Sequence, residues 1–553
     1  MNTLKIVGCA SLLFASIVSM ADNKTGIYLY ESGMYSASKA YFLKNINTLP
    51  QEDQAEAYYY LGESYMMLER TDSAKFYFQK GVAIAPEYPY NQIGLATFML
   101  KTNAKEVEGT FKGLLSAKEN KKDANIRLAI AQAYRHAGDK VKMNEYIIQA
   151  KQVASKDGMP YVLEGDILLS ENESGAAAAK YDMALYFSPK LLGAYIKAAR
   201  IYMNINRENS FDKITKAQEI APEFIGINCI LGEYYELLGN SRLAVEHYSQ
   251  FMEAGYYDVE HLLKYAGLLH FDKQYEKMLP IVQSVLRAQP DNLVAKRLNA
   301  YGLAKITTES ESLHAIKHFM ETTPKESFIF QDFICYAEQL RQHKHYREAL
   351  NSYIMALKKD ESKKAIYLDI ADLFGQTQQL DSAAQYYTHY FNHNNNPELI
   401  SYLRFGRNYY TMANDSSLTV EQKNRLLQRA DTVFIQITEL APTSHIGYLW
   451  RARANWAMDP ETNQALAKPY YEKVLEIIQP ERKTEIIESY KYLGYYHSMI
   501  ADAITKANND NPEKARPEYN RVRDIFRKVL ELNPNDKDAK EIIEELKKLD
   551  NPQ

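Results

Sequence analysis

Tyr35 and Lys39 stand four positions apart in YSASKA, a spacing that on a helix lets a tyrosine give a proton to a carbonyl while the lysine lowers its pKa. Such hydride chemistry needs a dinucleotide, and a dinucleotide needs a glycine-rich strand-to-helix turn before the tyrosine. The short stretch ahead of Tyr35 holds no such turn. His314 with His318 and His389 with His393 have the i, i+4 spacing that sets two imidazoles on one metal. A zinc site needs more than two protein ligands, and neither pair has an obvious third nearby. No G-x-x-x-x-G-K-[ST], H-E-x-x-H or G-x-S-x-G motif occurs, and no two carboxylates single themselves out as an acid and a base. The expectation is a chain without catalytic residues, cofactor or metal.

The elements that would have to position any site are helices in a repeating frame. Residues 58 to 86 read YYYLGESYMMLERTDSAKFYFQKGVAIAP, with Tyr58, Leu61, Gly62 and Tyr65 followed by Ala74, Phe78 and Pro86. The frame returns at Tyr161, Gly165, Leu168, Ala177, Tyr181, Ala184 and Pro189, and again at Leu231, Gly232, Tyr235, Ala244, Tyr248 and Phe251. Helix-ending positions fall at Pro189, Pro222, Tyr256, Pro290 and Pro324, a near-constant step that chance does not keep. On this reading Leu61, Gly62 and Tyr65 share one helix face, and Ala74 and Phe78 fill the facing groove. The proline stops the second helix because its ring cannot continue the ladder.

This pattern resembles the tetratricopeptide repeat, a helix-turn-helix unit of about 34 residues. The resemblance covers nearly the whole chain in about 13 units and implies an all-α solenoid, a right-handed superhelix in which each unit buries its apolar face on its neighbours. The segment DAKEIIEELKKL, Asp538 to Leu549, reads as a C-terminal capping helix. The expected organisation is 22–123 for partly degenerate N-terminal units, 124–411 for the central array, 412–535 for C-terminal units with insertions, and 536–553 for the cap and tail. The unit near Gln92 to Leu115 lacks the motif residues and precedes a polar run from Ala117 to Asp123; insertions lie near 414–424 and 502–516. In this frame YSASKAYF is the tail of a degenerate first repeat, with Ala37 at the small position and Tyr41 at the aromatic one.

Composition narrows the function classes. The 553 residues are 46% hydrophobic and 25% charged, which is ordinary globular composition but too long for one average domain. With 66 Lys and Arg against 70 Asp and Glu, and no long basic run, the chain lacks the electrostatic footprint of a nucleic-acid binder. Tyrosine is over-used, 44 against 20 Phe, which points to half-buried positions wanting an aromatic body with a polar tip. Residues 1–21 read as a signal peptide, with Lys5, an apolar run from Ile6 to Met20, and small residues before a cut after Ala21. A periplasmic or secreted location is expected. Ile6-Val7-Gly8-Cys9 resembles a lipobox, but Cys9 precedes most of the apolar run, against a lipoprotein. No later stretch approaches the length of a transmembrane span. Cys229 and Cys335 are read as small buried apolar residues.

The resemblance implies an interaction scaffold whose groove is lined by the first helix of each unit. Those positions hold Asp166, Glu233, Glu236, Glu338 and Asp372 in the centre, then Arg407, Tyr410, Arg453, Trp456, Lys491 and Tyr495. The second set suits a partner protein or extended peptide, or a carboxylate gripped by an arginine fork beside aromatic rings. The carboxylate clamp used on chaperone tails is missing, since its positions carry Tyr59 with Glu63, Val162 with Asp166 and Cys229 with Glu233. A glycan held by the same groove, in a carbohydrate-uptake helper, is the second expectation; a regulatory subunit of an enzyme or sensor complex is the third. The Tyr-, Asn- and Lys-rich repeats look similar to envelope proteins of the Bacteroidota.

Overall fold

The computed structural model describes residues 22–550; the expected signal peptide with Cys9 lies outside the described residues. Among the described residues the regular structure is helical, in 29 α-helices and three short 3-10 turns. The chain divides into two compact units, one up to Ile306 and one from Thr307.

The first unit runs in antiparallel pairs. These are α1 (Asn23–Glu31) with α2 (Tyr35–Asn45), α3 (Gln51–Met67) with α4 (Thr71–Ile84), α5 (Pro89–Thr97) with α6 (Ala104–Ser116), and α7 (Ala124–Ala137) with α8 (Lys140–Val153). Then follow α9 (Met159–Ser170) with α10 (Ser174–Phe187), α11 (Leu192–Tyr202) with α12 (Arg207–Ile220), α13 (Gly226–Leu237) with α14 (Ser241–Glu253), α15 (Val259–Phe271) with α16 (Tyr275–Ala288), and α17 (Leu293–Ile306). The second unit begins with α18 (Glu309–Thr322) and pairs α19 (Phe330–Gln342) with α20 (Tyr346–Lys359) and α21 (Tyr367–Gln376) with α22 (Leu380–His393). Next come α23 (Leu399–Met412) with α24 (Val420–Leu440), α25 (His445–Met458) with α26 (Lys468–Ile477), α27 (Lys483–Ala507) with α28 (Arg516–Leu532), and α29 (Lys537–Asp550).

One register builds most pairs: a small residue on the first helix faces a large one sixteen positions on. A Cβ placed on Gly62 would come within 2.4 Å of Phe78, and one on Gly165 within 2.5 Å of Tyr181. Only a glycine lets the helices approach that closely. Where the register holds alanine instead, Ala337 faces Tyr353 and Ala371 faces Tyr387, and all four are buried. The two insertions lengthen the helices that carry them. Gly406 meets Phe434 and Gly494 meets Phe526, so the same contact survives the wider spacing while α24 grows to 21 residues and α27 to 25. Helices α4, α10 and α12 each stop two positions before a proline: Ala85, Ser188 and Ala221 leave helical geometry, because the proline ring crowds the α region for the residue before it.

The first repeat departs from the expected frame by one position. Phe42, sixteen positions after Gly26, packs under it with Tyr41 beside it, and Ser38 takes the small position. Serine fits there because its hydroxyl donates to the Gly26 carbonyl at 2.8 Å. The polar run before α7 is tied down by Arg127, whose guanidinium donates to the carbonyls of Lys121 and Asp123, both at 2.8 Å. At the C-terminus α29 closes the core as expected, with Ala539 and Leu546 buried against Val522, Phe526 and Val529.

The first unit also closes on itself. The α1–α2 hairpin packs on α3 and on the α11–α15 region, so that Leu29, Met34 and Phe42 share a core with Leu192, Ile196, Phe224 and Ile227. Tyr28 meets Phe224 edge-on with centroids 5.7 Å apart, Tyr41 meets Tyr256 at 4.9 Å, and Arg200 donates to the Ser32 carbonyl at 3.1 Å.

Candidate functional site

Three successive first helices of the second unit bring Tyr410 (α23), Arg453 and Trp456 (α25), and Glu488 and Tyr495 (α27) around one cavity of about 460 Å³. Four of the six groove residues expected from the sequence therefore share one space. The other two do not line it. Lys491 is spent on Asp536 at 2.9 Å and Asp538 at 2.8 Å, next to the capping helix. Arg407 is exposed and lays its guanidinium over Trp450 at 5.1 Å.

Arg453 is not the open fork the sequence suggested. It grips Glu488 with two nitrogens at 2.8 and 2.6 Å, and its other side covers Trp450 at 4.7 Å. The Glu488 hydrogen bond raises its pKa further, against burial. Tyr471, buried beneath, donates its hydroxyl to the same carboxylate at 3.0 Å. The cavity is thus charge-balanced at its floor and aromatic on its walls. Trp456 is half-buried, edge-on to Tyr492 at 5.5 Å, while Tyr495 is 38% exposed. Such a site suits an apolar or aromatic side chain better than a carboxylate.

The same pairing overturns the expected change of charge along the groove. Asp166 is held by Lys197 at 2.7 Å, Glu233 by Arg200 at 3.1 Å, Glu236 by Lys264 and Asp372 by Arg404. Each acid meets a base from a neighbouring first helix, so these groove charges cancel in pairs. Two of these acids also receive a core tyrosine: Tyr181 donates to Asp166 at 2.7 Å and Tyr387 to Asp372 at 2.6 Å. Burial, then the carboxylate beside it, pushes each of these phenols well above the ordinary range. The excess of tyrosine has its use here, with ring in the core and hydroxyl on the groove.

A second cavity, of about 500 Å³, lies inside the first unit and was not foreseen. Its walls are the first helices α1, α3, α5, α7, α9 and α11 with the first residue of α2, and it exists because α1 meets α11. Tyr35 lines it, while Lys39 does not; burial raises the Tyr35 phenol, with Lys197 acting against that rise. Across the interior His136 meets Glu63 at 3.2 Å, and Tyr30 reaches the same carboxylate at 3.3 Å. Both remaining cysteines are buried, and no three His, Cys, Asp or Glu side chains converge as metal ligands among the described residues. His389 and His393 pack on the Tyr367 ring.

Residues 55–88 match the sequence model of the Tetratricopeptide repeat. Residues 55–88 are a tetratricopeptide repeat. This repeat chain is 19% identical over 369 residues to Tetratricopeptide repeat protein 1 of Schizosaccharomyces pombe, an alignment that takes in 60% of it and spans about a third (35%) of the relative's length. Among solved structures it is similar to the C-terminal part of a TPR repeat-containing protein from Cytophaga hutchinsonii, with 25% identity, 51% of this chain and 99% of that one covered, and a TM-score of 0.40. It is also similar to a tetratricopeptide repeat protein from Parabacteroides merdae, with 16% identity, 46% and 98% covered, and a TM-score of 0.32. Tetratricopeptide repeats commonly serve as protein-interaction scaffolds. No helix among the described residues is long and apolar enough to cross a membrane.

Proposed function

We propose that this tetratricopeptide-repeat chain is a non-enzymatic scaffold of the bacterial cell envelope that holds a partner protein or extended peptide on the first helices of its second unit. One observation carries the reading: Tyr410, Trp456 and Tyr495, from three successive repeats, wall a cavity whose charged floor is already neutralised. Aromatic side chains gathered around a pocket are the residues that dominate binding energy at interfaces, because each removes a large apolar area from water with few rotamers to freeze. The partner's anchor is an apolar or aromatic side chain, and the exposed Arg407 at the neighbouring turn is available to a carboxylate or backbone carbonyl. The charge and apolar run of residues 1–21 support the envelope location.

Affinity capture from envelope extract tests this. Wild-type chain retains a polypeptide that a Trp456→Ala, Tyr495→Ala double variant loses, while a variant of the first unit's cavity, Glu31→Gln, keeps it. Equal retention by the double variant contradicts the proposal, as does retention of glycan with no polypeptide.

A further inference from the structure

The cavity of the first unit has a chemistry of its own, independent of the second-unit site. Tyr35, Tyr30, Tyr60, Tyr59, Tyr90 and Tyr88 run along its wall as an unbroken series of ring contacts, each pair with centroids 5.1–5.3 Å apart. These are tilted or edge-on contacts, with interplanar angles from 41° to 70°. In an edge-on pair one ring gives a face to its neighbour's edge while the other keeps its own, and Tyr60 also stacks on Phe42, so the series leaves some but not all of its ring faces, the negative ends of the ring quadrupole, to a further contact.

The charged groups on the same walls are unequally satisfied. Lys197 is held by both oxygens of Asp166 at 2.7 Å, and Arg135 donates to the Asp166 backbone carbonyl at 3.0 Å and to the Gln132 side-chain oxygen at 3.5 Å. Glu56 accepts from the Asn23 amide at 2.9 Å. Glu31, the last residue of α1, lines the cavity and makes no hydrogen bond or ion pair among the described residues. Burial raises its carboxyl above the ordinary range, Lys197 pulls it down, and Glu56 adds to the rise.

An anion here would meet Glu31 and Glu56, while the two bases on the walls, Lys197 and Arg135, are already engaged by the Asp166 carboxylate and carbonyl. A neutral apolar guest would bury the Glu31 carboxylate without a partner, which is costly. A cation answers both the open ring faces and the unpaired carboxylate. We propose that this chamber binds an organic cation, an ammonium or guanidinium group on a short apolar stem, with tyrosine faces around the charge and Glu31 as its counter-ion. The cation is either a free amine or the basic side chain of a polypeptide, and the chamber's volume accepts one such group with its stem.

Isothermal titration of the full chain with four probes tests the proposal: tetramethylammonium, N-acetyl-lysine methylamide, its neutral isostere N-acetyl-norleucine methylamide, and acetate. At least one cationic probe binds, and about tenfold or more tighter than the neutral isostere, while acetate does not bind. Glu31→Gln abolishes that preference for charge but leaves the circular dichroism spectrum and thermal midpoint near wild type. Tyr88→Leu, in the loop before α5, weakens the cation about threefold or more and provides a second reading if Glu31→Gln folds poorly. Tighter binding of the capped lysine than of tetramethylammonium makes the source a polypeptide, and the reverse order makes it a free amine. The proposal falls if no cation binds at millimolar concentration, if the norleucine isostere binds as well as the lysine, or if Glu31→Gln and Tyr88→Leu both bind cations as wild type does.

Discussion

At the scale of single residues, the repeat is a lock between one small side chain and one ring. Gly406 shows what the lock requires, because a methyl group there would sit 2.3 Å from Phe434. Alanine gains about 1 kcal/mol over glycine in an unstrained helix. Overpacking of a filled core costs about 1–3 kcal/mol and wins here. Gly406→Ala is therefore expected to lower the urea midpoint of the second unit, followed by the emission of the chain's two tryptophans, Trp450 and Trp456, both of which lie in that unit. A second residue, Asp258, ties helix capping to pH. Burial opposes ionisation of its carboxyl, but hydrogen bonds from His261 and Ser36 outweigh it and hold the pKa well below the ordinary carboxylate range. Its stabilising contribution is thus present above the unfolded value, about 3.9, and is lost as pH falls from there toward the folded one. Asp258→Ala is expected to cost about 0.5–2 kcal/mol at pH 7, in the range of other N-cap losses. Thermal melts should show the gap to wild type closing below about pH 4. The residue scale was largely legible: Gly62 with Phe78 and Gly165 with Tyr181 are a written pattern. Ser38 with Phe42 was not, because a serine satisfied by a helix carbonyl mimics alanine only once the helices are packed.

At the scale of elements, what the chain states openly is each helix and its partner in sequence; what it conceals is which distant helix covers an open end. The insertions illustrate the first. Extra residues near 414–424 and 502–516 lengthen α24 and α27 without moving the glycine–aromatic contact, as a helical register allows. The seam between α1–α2 and α11–α15 illustrates the second, since Arg200 and Ser32 are 168 residues apart and no periodicity couples them. Phe224 is a buried ring shared across that seam, 6% exposed and edge-on to Tyr28. Phe224→Ala is expected to cost about 3–5 kcal/mol. Hydrogen exchange should then quicken first in α1 and α2, whose outer face depends on the seam, and more slowly in α7 and α8. Uniform quickening across the first unit would mean that the hairpin is not a separately held flap. The groove charges belong to this scale too. From sequence the acids and arginines look like two zones, but neighbouring first helices set Asp372 against Arg404 and Glu488 against Arg453. Such pairs need one helix's side chain to reach the next, which is geometry that residue type alone does not carry.

At the scale of the whole molecule, stacked repeats within each unit turn their first helices toward one surface of that unit, and each unit lines its own surface differently. The first unit closes it into a tyrosine-lined chamber with an unpaired carboxylate. The second leaves a cavity with a neutralised floor and aromatic walls. The two cavities thus differ in chemistry on one chain. The sequence pointed to Tyr410, Arg453, Trp456 and Tyr495 through their repeat positions, but not to Trp450, which lies outside those positions, nor to Glu488, which holds a groove position of its own unit and whose role appears only once Arg453 reaches it from the neighbouring helix. The most direct measurement uses Trp456 as its own reporter. In a Trp450→Phe background, titration with the captured polypeptide should change the Trp456 emission saturably and cut its quenching by acrylamide, because the partner covers that wall. Binding that is detected independently, yet leaves Trp456 emission and quenching unchanged, would contradict the account.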